Sequence, residues 1–219
     1  MGIEINLLER YPKTKRDINS RKNEKTKEHQ NIARKFDKEF FDGDRSTGYG
    51  GYYYNIKYWD KVVDDFINHY DLNEGSKILD VGCGKGFMLY DFKRKIKNLN
   101  IKGLDISNYA IENSLEDVKK DLIVGNACEL PYENNSFDLV ISITTIHNLE
   151  NHDLKKSLTE INRVSKKNAF ITVDAFRNEK EKEIMFDWNL TAKTILHVND
   201  WKNLFLETGY KGDYYWFTP

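Results

Sequence analysis

From residue 76 to residue 174, short apolar runs alternate with amphipathic segments, and this alternation constrains the fold more than any other feature of the chain. The apolar runs have the length of buried strands, and the segments between them have helical periodicity. Strands that alternate with crossover helices predict an α/β fold with a doubly wound, mainly parallel sheet. The predicted strands cover 77–81, 101–106, 122–124, 137–143 and 169–173, and the predicted helices cover 87–96, 109–120 and 153–165.

The N-terminal part of the chain has a different character. Residues 1–30 are polar and basic, which is typical of a mobile tail or a solvated helix. Apolar spacing predicts helices over 31–41 and 57–70. Between them, residues 43–55 are too rich in glycine and tyrosine for a regular helix, and we interpret them as a lid.

The pattern loosens after residue 174. Residues 179–187 and 200–209 are predicted helices, and 213–217 is a predicted last strand at the edge of a sheet of six or seven strands. The sequence thus predicts a tail over 1–30 and a single domain over 31–219, which comprises N-terminal helices and lid (31–70), a ligand-binding core (76–174) and an insertion with the last strand (175–219).

Composition limits the classes of function. The 219 residues are 39% hydrophobic, which suffices for one core, and their net charge of −1 argues against a nucleic-acid partner. Cys83 and Cys128 lie in no CxxC or histidine-rich cluster, which argues against disulfides and a metal site and favours a reducing cytoplasm. No apolar run has the length of a secretory signal or a membrane span.

The segment ILDVGCGKGF, residues 78–87, joins the first predicted strand to a helix. Glycines such as Gly82, Gly84 and Gly86 let a backbone approach a ligand closely and adopt angles that side chains forbid. A strand-to-helix turn that cradles a ligand needs this context, although the same glycines would also suit a plain tight turn.

The spacing of these glycines distinguishes between ligands. A dinucleotide turn has G-x-G-x-x-G with a phosphate at the helix N-terminus, but the third glycine of that pattern would fall on Phe87. The run instead reads D-x-G-x-G-x-G and begins with Asp80. An acidic residue that faces the turn suits a cationic ligand group better than an anionic pyrophosphate.

A second acidic residue, Asp105, ends the second predicted strand and lies 21 positions after Gly84. This is the interval at which a carboxylate reaches the two hydroxyls of a ribose. Asp105 could instead cap the following helix, although Ser107 or Asn108 could serve as that cap. Two features at matching spacing are more specific than either feature alone.

These motifs resemble those of class I S-adenosylmethionine (SAM)-dependent methyltransferases over about residues 57–174. The glycine motif of the family matches 80–86, its ribose-binding acid matches Asp105, its adenine loop matches 125–132 and its fourth-strand signature matches 136–140. Many relatives have aspartate in place of Asn126, whose carbonyl can still accept a bond from the adenine amino group. The resemblance implies a Rossmann-like fold, SAM as cofactor, and cofactor-binding roles for Asp80, Gly82, Cys83, Gly84, Asp105, Ile106, Asn126 and Ala127.

Methyl transfer needs a nucleophile held in line with the methyl group, and it needs a base only where the nucleophile holds its proton tightly. The acceptor is expected outside the carboxyl ends of the strands. His147, after the fourth strand, is the candidate catalytic base or acceptor contact, although a histidine there could also cap or pack. Asp174 and Arg177 follow the fifth strand and could also face the acceptor.

Two segments outside the core are candidate acceptor-binding elements, which could reach polar groups of an acceptor or pack on the sheet edge. The candidates are Arg45, Tyr49, Tyr52 and Tyr53 in the lid, and Trp188 and Lys193 in the insertion. These segments are similar to methyltransferases of bacterial surface-polysaccharide gene clusters. That resemblance implies O-methylation of a small molecule: a sugar, a nucleotide-linked sugar or a related hydroxyl or phosphoryl compound.

Two other functions remain open. An RNA or protein methyltransferase could grip its polymer with the first 40 residues, which carry 11 Lys and Arg against 7 Asp and Glu. A SAM-binding protein without catalysis would keep the same glycine turn and Asp105. The sequence ITTI after the fourth strand, where an NPPY-type tetrapeptide would stand, argues against adenine or glutamine N-methylation, and Phe87 argues against a nicotinamide oxidoreductase.

Overall fold

The computed structural model describes residues 2–13 and 17–219, and within them seven parallel strands form one sheet with helices on both faces. The strands are β1 (Lys77–Val81), β2 (Asn100–Asp105), β3 (Leu122–Val124), β4 (Phe137–Ile143), β5 (Ser165–Phe176), β6 (Leu196–His197) and β7 (Asp213–Phe217). The helices are α1 (Ile18–Glu24), α2 (Lys27–Ala33), α3 (Lys38–Phe41), α4 (Ile56–Tyr70), α5 (Phe87–Lys95), α6 (Asn108–Glu112), α7 (Glu116–Lys119), α8 (Asn151–Val164), α9 (Glu179–Trp188) and α10 (Val198–Thr208). The doubly wound, Rossmann-like α/β fold predicted from the sequence is confirmed.

The order of the strands determines where a ligand can bind at the edge of the sheet. The sheet runs β3-β2-β1-β4-β5, and the outer edge of β5 pairs with β7 and, at its end, with β6. The order reverses between β1 and β4, which pair in parallel from Ile78 and Leu139 onward. In open α/β sheets, ligands bind at the carboxyl ends of the strands beside this reversal.

Successive side chains of the central strands point to opposite faces of the sheet, where they form two apolar layers. One layer joins Trp216 of β7 to Leu158 of α8 and Phe205 of α10. The other joins Phe170 of β5 to the aromatic residues of α4 and α5. These layers hold the strands in register and leave their carboxyl ends open for binding.

Several element boundaries differ from the sequence prediction for local reasons. The helix predicted over 109–120 divides into α6 and α7, because the N–H of Leu115 donates to the carbonyl of Lys85 outside the helix (3.4 Å). The helix predicted over 31–41 breaks at Phe36, which has φ of +51°. Strand β5 is longer than predicted, since its polar first residues pair with β4 and its last two pair with β6.

The first residues of the chain contradict the expectation of a mobile tail or a solvated helix. Ile5 N–H donates to the carbonyl of Tyr214 and Tyr214 N–H donates to the carbonyl of Ile3, each at 3.0 Å. Leu7 is buried in the core. The segment therefore covers the outer edge of β7, and burial of Leu7 stabilises it there. The sequence did not predict this contact, because polar and charged residues surround Leu7. Over the described residues, no helix is long and apolar enough to cross a membrane.

Candidate functional site

A cavity of about 1020 Å³ opens at the carboxyl ends of β1, β2, β4 and β5. Its volume is at the upper end of the range for small-molecule sites. All eight predicted cofactor-binding residues line it, and so do eight of the nine candidate catalytic and acceptor-binding residues. The ninth, Arg177, lies outside and pairs with Glu4 (3.1 Å) and Glu181 (3.9 Å), because its side chain turns toward the N-terminal segment.

The glycine turn after β1 forms one wall of the cavity. Gly82 has φ of +88°, and a Cβ at this position would overlap with the side chain of Thr145. The N–H groups of Gly82 and Cys83 donate to the carbonyl of Leu104 (2.7 and 3.2 Å), which ties the turn to β2. The turn needs glycine because both its backbone angle and its contact with Thr145 exclude a side chain.

Asp105 connects this turn to the end of β2. Its Oδ2 accepts from Gly84 N–H (2.7 Å) and its Oδ1 accepts from Ser107 N–H (2.9 Å). Burial raises the pKa of Asp105, while these N–H bonds oppose the rise. Ser107 caps α6 through its own hydroxyl, so the helix does not need Asp105 as its cap. The carboxylate is thus fixed in place by the turn while it lines the cavity.

Asp80 also lines the cavity, and no hydrogen-bond donor in residues 2–13 and 17–219 reaches its carboxyl group. Burial, with repulsion from Asp105, raises the pKa of Asp80 to about 7. A buried carboxyl group without a protein partner gives a cationic ligand group strong electrostatic stabilisation. Ile106 and Ala127 line the same side, and Asn126 Oδ1 there accepts from Cys128 N–H (2.9 Å).

The lid is fastened to the glycine turn by an ion pair that the sequence did not indicate. Lys85 Nζ lies 2.6 Å from Asp42 Oδ2, and the side chain of Lys85 is buried while that of Asp42 is partly buried. The same carboxylate accepts from Tyr109 O–H (2.7 Å) and from Tyr52 N–H (3.0 Å). Burial tends to raise the pKa of Asp42, but these donors together hold it below the ordinary value.

The lid tyrosines pack above the turn. The ring of Tyr52 stacks on Phe87 (4.8 Å between centroids) and on Tyr49 (4.5 Å). Arg45 donates to the carbonyls of Gly48 (3.0 Å) and Tyr49 (3.3 Å), so its guanidinium holds the lid in shape. Tyr53 is 72% exposed, and its ring lies 5.4 Å from the ammonium of Lys85. The same loop therefore both packs on the turn and lines the cavity.

His147 lies in a short 3₁₀ helix after β4 and is 4% exposed. Its Nδ1 accepts from the backbone N–H of Asp174 at the end of β5 (2.9 Å). Its carbonyl accepts from the N–H groups of Lys193 (3.0 Å) and Thr194 (2.9 Å). Burial lowers the pKa of His147, and the Asp174 carboxylate opposes this shift.

Cationic side chains in and directly after helices α1 and α2 close the acceptor side, and they donate to backbone carbonyls. Lys25 Nζ bonds to the carbonyls of Phe186 (2.6 Å), Asp187 (3.0 Å) and Asn189 (3.0 Å). In the same way, Arg34 reaches the carbonyls of Thr191 and Ala192, and Arg21 lies over the ring of Trp188. We call these three cations the N-terminal clasp. The sequence did not indicate this clasp, because nothing in a basic segment shows which distant carbonyls will accept from it.

Comparison with known proteins agrees with this geometry. Residues 79–173 match a family model described as Methyltransferase domain. The chain is 32% identical over 152 residues to a demethylmenaquinone methyltransferase of Symbiobacterium thermophilum, a match that covers 65% of this chain and 59% of that protein. It is 33% identical over 150 residues to a tRNA (carboxymethyluridine(34)-5-O)-methyltransferase of Arabidopsis thaliana, with 65% of this chain and 33% of that protein covered. The chain thus spans only part of the length of these relatives.

A solved structure shares the fold. The phosphoethanolamine N-methyltransferase 2 of Haemonchus contortus, in complex with phosphomonomethylethanolamine and S-adenosylhomocysteine, matches with a TM-score of 0.58 at 21% identity, over 81% of this chain and 44% of that one. The cavity also fits SAM chemically, since the unpartnered Asp80 suits a cationic amino acid group and the glycine turn leaves room for close approach. Residues 79–173 are therefore similar to a methyltransferase domain, and the cavity at the carboxyl ends of their strands suits SAM as a cofactor.

Proposed function

We propose that this protein transfers the methyl group of SAM to an oxygen atom of a small polar acceptor. One observation carries the proposal. A single cavity has the glycine turn with Asp80 and Asp105 on one side, and His147 with Lys193 on the other. The protein thus has a place for the cofactor and, beside it, a place for a second ligand.

Each side has a distinct task. Asp105 would hold the ribose hydroxyls, Asp80 the amino acid part, and Asn126 the adenine of the cofactor. SAM supplies a methyl group that its positively charged sulfur already activates. The protein must therefore chiefly align the acceptor and keep water out, which the lid and the N-terminal clasp would do.

The acceptor class that we propose is a sugar, a nucleotide-linked sugar or a related hydroxyl or phosphoryl compound of surface-polysaccharide biosynthesis. The lid tyrosines, Trp188 and Lys193 support a polar acceptor, because they line the cavity with aromatic faces and donors. A polymer gripped by the N-terminal cations is less well supported. Arg21, Lys25 and Arg34 all donate to carbonyls of this chain, and those bonds compete with binding to a phosphate backbone.

The test is calorimetric titration of SAM and S-adenosylhomocysteine into the wild type, Asp105→Ala and Asp105→Asn. We expect the wild type to bind both ligands and Asp105→Ala to lose at least about tenfold in affinity, or about 1.4 kcal/mol. Asp200→Ala, which removes an exposed carboxylate from the first turn of α10, is the matched control. A folded wild type that binds neither ligand would contradict the proposal.

Turnover separates an enzyme from a SAM-binding protein without catalysis. We would screen sugars, nucleotide-linked sugars and phosphorylated metabolites for release of S-adenosylhomocysteine. Sustained release with one acceptor class supports the proposal. Release that occurs only with RNA or with a protein substrate would replace the small-molecule acceptor by a polymer.

A further inference from the structure

The protonation of His147 is set by its surroundings. A neutral imidazole has one nitrogen that donates and one that accepts. The backbone N–H of Asp174 lies 2.9 Å from Nδ1 and cannot give up its hydrogen, so Nδ1 must be the accepting nitrogen. The proton of the neutral ring is therefore on Nε2.

The neighbouring charges do not reverse this arrangement. Asp174 Oδ1 lies 3.3 Å from Nδ1 and would favour a proton there, but the N–H bond is shorter. Lys193 joins His147 through its backbone N–H, and its ammonium lies 3.6 Å from Glu150 on the outer rim. Burial lowers the pKa of His147 and keeps the ring neutral near pH 7, although the Asp174 carboxylate acts in the opposite direction.

The other ring nitrogen is available to a ligand. No partner for Nε2 is found in residues 2–13 and 17–219, and the His147 ring lines the cavity. An N–H that faces the cavity without a protein partner can donate to a bound ligand. The ring thus offers the acceptor side a rigid donor and no free lone pair.

We propose that His147 is a hydrogen-bond donor to the methyl acceptor, not a base, and that the reacting oxygen of the acceptor is anionic, as in a carboxylate or a phosphate. This inference rests on the proposed function and narrows its acceptor class to compounds with an ionised phosphoryl or carboxyl group, so that an uncharged sugar hydroxyl is no longer included. A neutral hydroxyl would need a base that the Nε2–H tautomer does not supply, whereas an oxyanion needs none. A protonated amine would face the Nε2–H with donors of its own, so it fits the site poorly.

The reaction balances without proton transfer. A lone pair of the acceptor oxygen forms the new O–CH₃ bond, and the electron pair of the broken S–CH₃ bond stays on sulfur. The negative charge of the oxygen and the positive charge of the sulfur both disappear. A cavity closed to water favours this loss of charge. His147 would orient the oxyanion by donating its Nε2–H to one of the oxygen lone pairs, and it would take up no proton during the reaction.

Nuclear magnetic resonance can read the tautomer without an acceptor or turnover. The chain has five histidines, and labelling them with ¹⁵N allows long-range ¹H–¹⁵N correlations, with His147 assigned by its absence from His147→Gln. We expect a proton on Nε2 and a bare Nδ1 at about pH 8, well above the ordinary pKa of histidine. A proton on Nδ1 would overturn the inference, whether or not the protein binds SAM.

The same spectra test the class of acceptor. Acetate and inorganic phosphate are titrated into the protein saturated with S-adenosylhomocysteine, and methyl glucoside is the neutral probe. We expect the Nε2 resonance of His147 to shift with at least one of the two anions and not with methyl glucoside. A resonance that moves with neither anion, or with methyl glucoside alone, would overturn the anionic acceptor.

Variants then separate a donor from a base once the screen has supplied an acceptor. A glutamine amide can donate from the position of Nε2 but cannot take up a proton near neutral pH. We expect His147→Gln to keep kcat/KM within about tenfold of the wild type, and His147→Ala to lose about a hundredfold, as for a hydrogen bond to a charged group. If Gln is as inactive as Ala while SAM affinity is normal, His147 is a base and the inference fails.

Discussion

The two halves of the cavity are assembled differently. The cofactor half consists of the glycine turn and Asp105, which two adjacent strands bring together through backbone bonds to Leu104 and Gly84. The acceptor half consists of His147, the segment 188–194 and the N-terminal clasp, which lie far apart in the sequence. The first half therefore depends on local backbone geometry, and the second depends on docking between distant segments.

The halves also differ in charge. Asp80 and Asp105 make the cofactor half acidic, and burial raises the pKa of both carboxyl groups. The acceptor half offers donors, with Nε2–H of His147 and the half-exposed Lys193 beside it. A cationic cofactor would meet the opposite charge in the cofactor half, and an acceptor oxyanion would meet the Nε2–H donor of His147 in the acceptor half. Substitutions confined to one half should therefore disturb that half and leave the other intact.

The largest effect is expected from Gly82→Ala. The new Cβ would overlap with Thr145 in a backbone conformation with φ of +88°, so the turn would move or the chain would lose stability. We expect a loss of about 3 kcal/mol or more, with loss of calorimetric SAM binding. Gly75→Ala is the matched control, since Gly75 has φ of +85° but open space around it. It should cost about 1 to 2 kcal/mol and leave SAM binding intact. Equal effects on binding would show that strain alone explains the turn.

Lys85→Met should have the next largest effect, because it leaves the partly buried carboxylate of Asp42 without its cation. Removing one partner of a buried pair costs about 3 kcal/mol. We expect lower stability in denaturant titrations and faster SAM dissociation, since the lid loses its fastening. In the double variant with Asp42→Asn, the unpaired charge is gone and part of the stability should return. A Lys85→Met variant as stable as the wild type would contradict the role of this ion pair in fastening the lid to the glycine turn.

Asp80→Asn tests the charge of the cofactor half. The folded protein raises the pKa of Asp80 to about 7, and a bound cation would lower it, so SAM binding releases a proton. Wild-type affinity should therefore rise with pH by up to about tenfold per unit below pH 7, and the asparagine variant should bind weakly with a flat profile. The raised pKa also affects folding, because between about pH 4 and pH 7 Asp80 is ionised in the unfolded chain but still protonated in the folded protein. The contribution of Asp80 to the stability of the wild type without ligand should therefore fall as the pH rises toward 7. A wild-type profile as flat as that of the variant would contradict this account.

The smallest effect is expected from Lys25→Met, which keeps the apolar stem but removes three bonds to carbonyls at the end of α9. Burial of its ammonium lowers the pKa of Lys25. We expect about 1 kcal/mol of lost stability and faster amide hydrogen exchange in α1, α2 and α9. SAM affinity should not change. Lys27→Met, on the exposed start of α2, is the control and should leave exchange unaltered.

Much of the cofactor half was visible in the sequence. The first strand, its glycine turn and the acid 21 positions after Gly84 lie on consecutive βα units. Their spacing depends on strand length and turn geometry, which short-range patterns express directly. The placement of Asp80, Gly82 and Asp105 around one cavity agrees with the resemblance that predicted it.

The acceptor half was visible only as a set of candidate residues. The sequence singled out His147 and Trp188, but not the backbone N–H that determines the tautomer of His147 or the Arg21 that lies over Trp188. It also placed Arg177 at the site, whereas the side chain pairs with Glu4. The partner of a polar side chain depends on which distant segment packs beside it.

The sequence by itself determined the alternation of strands and helices, the turn that suits SAM and the acid that follows it, because each of these rests on periodicity or on a few neighbouring residues. The tertiary structure alone decided that residues 3–7 line the edge of β7, that Asp42 reaches Lys85 and that three N-terminal cations close the acceptor side. These contacts join segments between 40 and more than 200 positions apart. Long-range contacts of this kind form only after the sheet has assembled, and the local pattern of residues carries no record of them.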